Sequence, residues 1–197
     1  MNFLSDCSSV GRRDYSEDEA RAMGGEPVFL NVYDMYWLNN YFSPMGIGIY
    51  HTGIEVNGSE FAFGGHPYSF SGVFEIIPKE STELGENFKF RESILLGYTR
   101  LSSSSIEEIV DQFGDDFRGE TYHLVHKNCN HFSMALSRIL CGAEIPTWVN
   151  RLASLTACLP FFQRCIPGEW LTPVALANNL REYDAIEEVN SDQQRLV

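Results

Sequence analysis

Residues 127–142 read KNCNHFSMALSRILCG and predict a helix with a cysteine at its start. Five apolar residues have the spacing of one helical face: Phe132, Ala135, Leu136, Ile139 and Leu140. Gly142 marks the end, because glycine readily adopts the left-handed conformation that closes many helices. Asn128 and Asn130 are suitable N-terminal caps, so Cys129 is expected in the first turn.

The chain before this helix has the composition and the period of strands. β-branched and aromatic residues dominate five stretches: 27–33, 46–56, 60–63, 73–77 and 88–98. Asn57-Gly58, the strongest short hairpin signal, separates the second stretch from the third. In the second stretch His51 shares one face with Ile47 and Ile49, because alternate residues of a strand point to the same side.

A second helical pattern covers Ile106–Phe113. Ser104 with Glu107, or Ser105 with Glu108, predicts a capping box at its start. Because strands and helices occupy separate parts of the chain, the fold class is expected to be α+β, an antiparallel sheet packed against helices.

Shorter elements are expected on either side of the cysteine helix. Tyr122–His126 is typical of a short apolar strand, and Pro146–Leu155 of a short helix. Leu159–Leu171 is unusually apolar but contains Pro160 and Pro167, so it is expected to be irregular.

The length of 197 residues fits one domain, and the charge is concentrated at the two ends. Of a formal net charge of −13, residues 1–26 carry −3 and residues 182–197 carry −4. Both ends lack apolar periodicity. We therefore expect a disordered tail over 1–26, a compact domain over 27–173 and an acidic, mobile tail over 174–197. The acidic balance also argues against a nucleic-acid partner.

Targeting and redox signals favour the interior of the cell. No charged segment followed by an apolar run opens the chain, and no run of about eighteen apolar residues indicates a transmembrane segment. The five cysteines are odd in number and lack the spacing of a secreted disulfide scaffold. The predicted location is the cytoplasm, with the nucleus as an alternative.

The strongest chemical candidate is Cys129. A thiol at a helix start faces unpaired amides and the positive end of the helix dipole, which are expected to lower its pKa towards the nucleophilic thiolate. The same amides can hold an oxyanion once a carbonyl is attacked. The alternative is a structural cysteine, a small buried hydrophobe.

A nucleophilic cysteine needs a base, and several histidines are available. His51 lies on an apolar strand face, where an imidazole is costly unless it has a partner. His66 lies in a glycine-rich loop that can line a cleft. His126 and His131 flank Cys129 and raise the alternative of zinc, but the spacing does not match a usual zinc motif, so no metal is predicted.

Several long motifs occur in one order that resembles the PPPDE (deSI-like) family of permuted papain-fold cysteine isopeptidases. They are LNVYDMYWLNNY, GIGIYHTGIEV, EFAFGGHPYSFSGVFE, FKFRESILLG, KNCNHFSMALSRILCG and IPTWVNRLA. The resemblance runs from about Val28 to Pro173 and implies a permuted papain-like fold without a cofactor. It places the family's histidine, in a strand ending H-[ST]-G, on His51 and its cysteine, in N-C-N at a helix start, on Cys129.

The implied activity is removal of ubiquitin or a ubiquitin-like modifier such as SUMO from lysines, through a Cys129–His51 dyad and a thioester. Asn128 is a candidate oxyanion or supporting residue. No third residue orienting His51 is evident. Asp34 is one possibility, although a strand-end turn acid is its simpler interpretation.

Two other functions remain open at this point. The same dyad would serve a palmitoyl-protein thioesterase, whose palmitoylated substrates the apolar residues 155–171 would bind. A non-enzymatic module that binds ubiquitin-like proteins is the second alternative. An exposed apolar patch would also allow a homodimer.

Overall fold

The computed structural model of this chain describes residues 25–35, 39, 48–149 and 172–195. The described strands are β1 (Glu26–Met35), β2 (Tyr50–Val56), β3 (Ser59–Phe63), β4 (Val73–Ile76) and β5 (Phe88–Thr99). They form one antiparallel sheet in the order β4-β3-β2-β1-β5. All five predicted strands are therefore present, and the second begins later than predicted.

The described helices are α1 (Ser103–Asp116), α2 (Cys129–Cys141) and α3 (Val174–Arg195). Strands and helices occupy separate parts of the chain, as the sequence predicted, and the α+β class is confirmed. Helix α2 ends as predicted, because Gly142 takes φ 68°, the left-handed conformation.

The turn between β2 and β3 confirms the hairpin signal. Asn57 and Gly58 have φ values of 53° and 82°, and Val56 pairs directly with Ser59. Two consecutive positive φ values define the type I′ turn, whose twist matches that of the flanking strands. This turn fixes the register that brings Gly53 opposite Ala62.

The two faces of the sheet carry separate cores. On the first face, which we call the helix face, Val32 and Ile54 pack with Phe132 and Leu136 of α2. On the second face, which we call the opposite face, a different set of buried apolar residues surrounds the strands: Tyr33, Ile49, Phe74, Phe88, Leu124 and Leu176. The alternation of side chains along the strands creates this division. In β5 it is interrupted by a register shift in the pairing with β1, so that Phe90 packs on the opposite face and Ile94 on the helix face.

Helix α1 begins earlier than the sequence predicted. Its N-cap is Ser102, whose hydroxyl accepts a hydrogen bond from the backbone N–H of Ser105. The predicted capping boxes with Glu107 or Glu108 are therefore wrong. In a run of four serines each hydroxyl is a competent cap, and packing of Ile106 and Val110 on the helix face decides which one is used.

The C-terminal part differs from the mobile tail predicted for residues 174–197. Val174–Arg195 is helical, and Leu176 and Leu180 are buried. The Tyr68 hydroxyl donates to the Asp184 carboxylate at 2.9 Å, and so ties α3 to the loop after β3. Two buried leucines at i and i+4 are enough to dock a helix whose composition is otherwise acidic.

Four further predictions concern the N-terminal tail and the shorter elements on either side of α2. The tail predicted over 1–26 lies, apart from residues 25 and 26, outside the described residues, as does most of 146–155 and all of 159–171. The strand predicted over Tyr122–His126 is absent, and an isolated bridge joins His123 to Lys127 instead. None of the helices in the described ranges is long and apolar enough to cross a membrane.

Candidate active site

Cys129 is the first residue of helix α2, as the sequence predicted. Asn128 caps the helix: its side-chain oxygen accepts from the backbone N–H of His131 at 3.1 Å, and the His131 ring accepts from the backbone N–H of Asn128 at 3.2 Å. This reciprocal pair is a capping box with histidine in the place usually taken by glutamate. This capping box fixes the first turn of α2 and therefore the direction in which the Cys129 side chain points.

The Cys129 side chain is buried among polar groups, with 4% of the residue exposed. Its sulfur lies 3.8 Å from Asn130 Oδ1 and 4.0 Å from the Tyr50 carbonyl oxygen, both acceptors for the thiol proton. The Tyr122 hydroxyl lies 3.9 Å from the sulfur and donates towards it. The thiol therefore has partners for both its donor and its acceptor function.

Asn130 joins the start of α2 to strand β2. Its side-chain oxygen accepts from the Thr52 hydroxyl at 2.9 Å, and its amide donates to the carbonyl oxygens of Tyr50 and Val149 at 3.4 Å each. The sequence indicated Asn130 only as a possible cap. In the structure it is instead a buried anchor, and it holds Cys129 against the first residues of β2.

His51 lies on β2, opposite Tyr33 of β1, and its surroundings are apolar. Its ring centroid is 5.4 Å from that of Phe88, 6.2 Å from Tyr33 and 6.4 Å from Phe74. Its Nε2 is buried and has no hydrogen-bond partner among the described residues. Burial in this aromatic environment lowers the pKa of His51 to about 3, so the imidazole is neutral at physiological pH.

One small cavity brings the two side chains together. Its volume is about 20 Å³, enough for about one water molecule, and both His51 and Cys129 line it. Tyr50, Tyr122 and Asn128 also line it. Because the space is small, a chemical group that enters it lies close to both the thiol and the imidazole.

The charge state of the thiol differs from the expectation based on its position. Burial raises the pKa of Cys129, and this effect outweighs the backbone N–H of Thr52 and the Tyr122 hydroxyl, which lower it. The helix start does act in the predicted direction, since the backbone N–H groups of Cys129 and Asn130 lower the pKa of the thiol, but burial outweighs them. Desolvation acts on the whole charge, whereas the dipole of a helix end acts as about half a charge. Thiol and imidazole are both neutral.

The Asn128 side chain is engaged in capping. Its amide nitrogen donates to the Leu124 carbonyl oxygen at 2.6 Å, while its oxygen accepts from the His131 backbone. These bonds leave few free hydrogen-bonding positions for a substrate oxygen. An oxyanion role for Asn128 remains a prediction.

The other candidate residues have different surroundings. Asp34 accepts from Asn39 at 2.9 Å and from Arg91 at 3.3 Å and makes no bond to His51. His66 is held at 2.9 Å by the Ser71 carbonyl oxygen and does not line the cavity. Cys129 and His51 are thus the predicted site residues that the structure brings together, with Asn128 at the edge of the same cavity.

Tyr122 is the functional candidate that sequence reasoning missed. In the sequence it is the first apolar residue of a presumed short strand, and nothing in the local pattern links it to Cys129, seven positions later. The link arises from the turn Gly119–Thr121, after which the backbone N–H of Tyr122 donates to the Gly119 carbonyl oxygen at 3.1 Å. The contact between Tyr122 and Cys129 depends on the fold, so no local sequence pattern could have predicted it.

The chain was compared with known proteins. It matches the family described as the PPPDE putative peptidase domain over residues 26–170. A "Desumoylating isopeptidase 1 homolog" of Caenorhabditis elegans is 57% identical over 155 residues, which are 79% of this chain but 46% of that protein. A DeSI-like protein of Arabidopsis thaliana is 40% identical over 95% of this chain and 80% of its own length. The human "Desumoylating isopeptidase 1" is 34% identical over 72% of this chain and 83% of its own length.

Proposed function

This chain belongs to the PPPDE peptidase family, and from this premise we propose that it is a thiol isopeptidase. It would remove ubiquitin or a ubiquitin-like modifier, SUMO being the first candidate, from lysines of target proteins. Two of the relatives described above carry the name desumoylating isopeptidase, which supports this choice of substrate.

The observation that carries the proposal is the shared cavity of Cys129 and His51. A cysteine peptidase needs a thiol, a base within reach of it and donors for a developing oxyanion. The thiol is at the start of α2, the imidazole is on β2, and Asn130 holds these two elements together.

Attack on the isopeptide carbonyl would begin from the neutral pair. The thiol proton passes to a ring nitrogen of His51 as the Cys129 sulfur bonds to the carbonyl carbon, and the carbonyl π electrons move to oxygen. This differs from a preformed thiolate–imidazolium pair, because burial opposes both charges in the free protein. Proton transfer is then coupled to attack, which is general base catalysis.

Collapse of the tetrahedral adduct breaks the bond between carbonyl carbon and lysine nitrogen. The His51 imidazolium gives its proton to the departing amine, and the modifier remains bound to Cys129 as a thioester. Water then attacks the thioester carbonyl, His51 takes a proton from that water, and the carbon–sulfur bond breaks. The departing sulfur takes that proton from the His51 imidazolium, so thiol and imidazole are again neutral and the modifier leaves with a free carboxyl terminus.

The oxyanion would be held by the first turn of α2. In an α-helix the first backbone N–H groups have no intrahelical acceptor, and Cys129 and Asn130 contribute two of them. Donors placed before the reaction begins stabilise the charge that develops on the carbonyl oxygen.

The test is cleavage of fluorogenic ubiquitin and SUMO C-terminal amides by wild type, Cys129→Ala and the matched control Cys141→Ala. Cys141 is the other described cysteine. It lies at the opposite end of α2, where its thiol donates a hydrogen bond to the Ser137 carbonyl oxygen. We expect Cys129→Ala to lower kcat/KM by about 10⁴-fold or more and Cys141→Ala to keep wild-type kinetics. Equal activity of Cys129→Ala and wild type would overturn the proposal.

A palmitoyl thioester substrate belongs in the same panel. The segment predicted to bind an acyl chain, 155–171, lies outside the described residues, so the thioesterase alternative remains a prediction. A kcat/KM for the palmitoyl thioester far above those for both amides would replace the isopeptidase proposal. Absence of turnover on all three substrates would favour the non-enzymatic binding module.

A further inference from the structure

The Tyr122 hydroxyl contacts the sulfur of Cys129 at 3.9 Å. Among the described residues, that sulfur is the only hydrogen-bond partner of this hydroxyl. The other two contacts of the sulfur are to acceptors, the Tyr50 carbonyl oxygen and Asn130 Oδ1, so the thiol donates to them. Within the described part of the chain, Tyr122 is the side chain that donates to the sulfur.

The position of Tyr122 is fixed by the fold. Its ring centroid lies 5.1 Å from that of Phe63, and a Cβ added to Gly65 would lie 3.1 Å from the Tyr122 Cβ, so Gly65 packs closely against this side chain. The hydrogen bond from the backbone N–H of Tyr122 to the Gly119 carbonyl oxygen fixes the position of the Tyr122 main chain. The hydroxyl is therefore held facing Cys129 by packing on one side and by the preceding turn on the other.

A buried thiol needs such a donor. Removal from water opposes the thiolate more than the thiol. The backbone N–H of Thr52 on β2 and the Tyr122 hydroxyl offset part of this effect, whereas the neutral imidazole of His51 adds no compensating charge. A hydrogen bond to the charged form of an acceptor is about twice as strong as one to the neutral form. The Tyr122 hydroxyl consequently favours the state in which the sulfur carries the charge.

We propose that Tyr122 is a further catalytic residue of this site, a donor that stabilises the Cys129 thiolate as its proton leaves for His51. The inference rests on the proposed role of Cys129 as the nucleophile. Tyr122 keeps its own proton throughout, because burial and the neighbouring sulfur raise its pKa well above the usual value. In each turnover the hydroxyl hydrogen bond strengthens as negative charge develops on the sulfur and weakens when the thioester forms.

The experiment is alkylation of Cys129 by iodoacetamide from pH 5 to 10, with the Cys129 peptide quantified by mass spectrometry. The proteins are wild type, Tyr122→Phe and the control Tyr68→Phe, which also loses a hydroxyl hydrogen bond but lies outside the cavity. We expect the midpoint for Tyr122→Phe to rise by about one pH unit, roughly a tenfold loss of thiolate at neutral pH. Tyr68→Phe should follow the wild-type curve.

A second variant keeps the test valid if Tyr122→Phe folds poorly. Replacement of Tyr122 by 3-fluorotyrosine preserves the shape of the ring and makes the hydroxyl a stronger donor, so the midpoint should fall below that of wild type. An unchanged midpoint in both variants would overturn the inference, as would a downward shift for Tyr122→Phe.

Alkylation requires no substrate, so the two proposals fail separately. If wild type cleaves no modifier substrate but the midpoint shifts as expected, the proposed function is wrong and the Tyr122–Cys129 interaction stands. If cleavage depends on Cys129 and the midpoint does not move, only the inference about Tyr122 is wrong. In an active enzyme, Tyr122→Phe should also lose about tenfold in kcat/KM at pH 7, because the donor to the charge that develops on sulfur is gone.

Discussion

The two sides of the cavity use different chemistry to hold their reactive groups. On the helix side, polar contacts surround Cys129: the Tyr122 hydroxyl, Asn130 and the Tyr50 carbonyl oxygen. On the strand side, His51 is enclosed by aromatic rings, and its buried Nε2 has no partner in the described ranges. Among the described residues, hydrogen bonds surround the Cys129 sulfur, whereas aromatic rings surround His51.

This difference separates two functions of the site. The helix side is arranged to receive negative charge, because it offers donors to the sulfur and to the oxygen of a bound carbonyl. On the strand side the imidazole is uncharged in the free protein, because burial among aromatic rings opposes the imidazolium. The strand side also contains the buried Glu60 carboxylate, which accepts from the Tyr33 hydroxyl at 2.8 and 2.9 Å. The Tyr33 ring lies between this carboxylate and His51, with its centroid 6.2 Å from that of the imidazole.

The largest expected effect comes from removing the base on the strand side. Glutamine at position 51 has a volume similar to that of histidine but cannot accept and return a proton, so His51→Gln should lower kcat/KM by on the order of 10³-fold. Steady-state kinetics on the preferred modifier substrate measure this. An activity within tenfold of wild type would show that another group takes the thiol proton.

His51→Gln should also change how the free energy of unfolding depends on pH. The pKa of His51 is about 3 in the folded chain and near its usual value when unfolded, so the unfolded state binds the extra proton between those pH values. Stability is then complete above about pH 6.5 and falls as the pH decreases, by about 1.4 kcal/mol per unit from this residue. Denaturant unfolding at pH 7.0, 5.5 and 4.5 should show a shallower acid loss in His51→Gln than in wild type. Parallel losses in the two proteins would contradict a buried, neutral imidazole.

A smaller effect is expected from the cap on the helix side. Asn128→Ala removes the bonds to His131 and Leu124 and should lower the free energy of unfolding by about 1 kcal/mol, with kcat reduced only a few-fold. Chemical denaturation and single-turnover kinetics measure the two quantities. A fall in kcat of about 10²-fold or more would instead support the predicted oxyanion role of Asn128.

The sequence predicted the elements with a strong local signal. Alternation identified the five strands, Asn57-Gly58 identified the hairpin, and the segment from Asn128 to Gly142 identified α2 with its cysteine. These patterns involve residues that are close in the sequence, and tertiary packing favours the same secondary structure. Cys129 and His51 were found because a thiol at a helix start and an imidazole on an apolar strand are both unusual positions.

Other features depend on contacts between distant parts of the chain. The tyrosine donor, Tyr122, reaches Cys129 only because a turn and a glycine, Gly65, place its ring there. The charge states of Cys129 and His51 depend on burial, which the position at a helix start does not reveal. Helix α3 has an acidic composition, and it was missed because few apolar side chains dock it; Leu176 and Leu180 are buried, and Tyr183 contacts the ring of Phe70.

The most direct measurement of the central claim, that Cys129 is the nucleophile towards a ubiquitin-like C-terminus, is labelling by modifiers with an electrophilic C-terminal vinyl sulfone. SUMO and ubiquitin probes are each incubated with wild type, Cys129→Ala and Cys141→Ala, and the adducts are mapped by mass spectrometry. The account predicts one adduct per chain on Cys129 with at least one probe, retained in Cys141→Ala and lost in Cys129→Ala. An adduct on a different cysteine, or labelling that persists in Cys129→Ala, would contradict it.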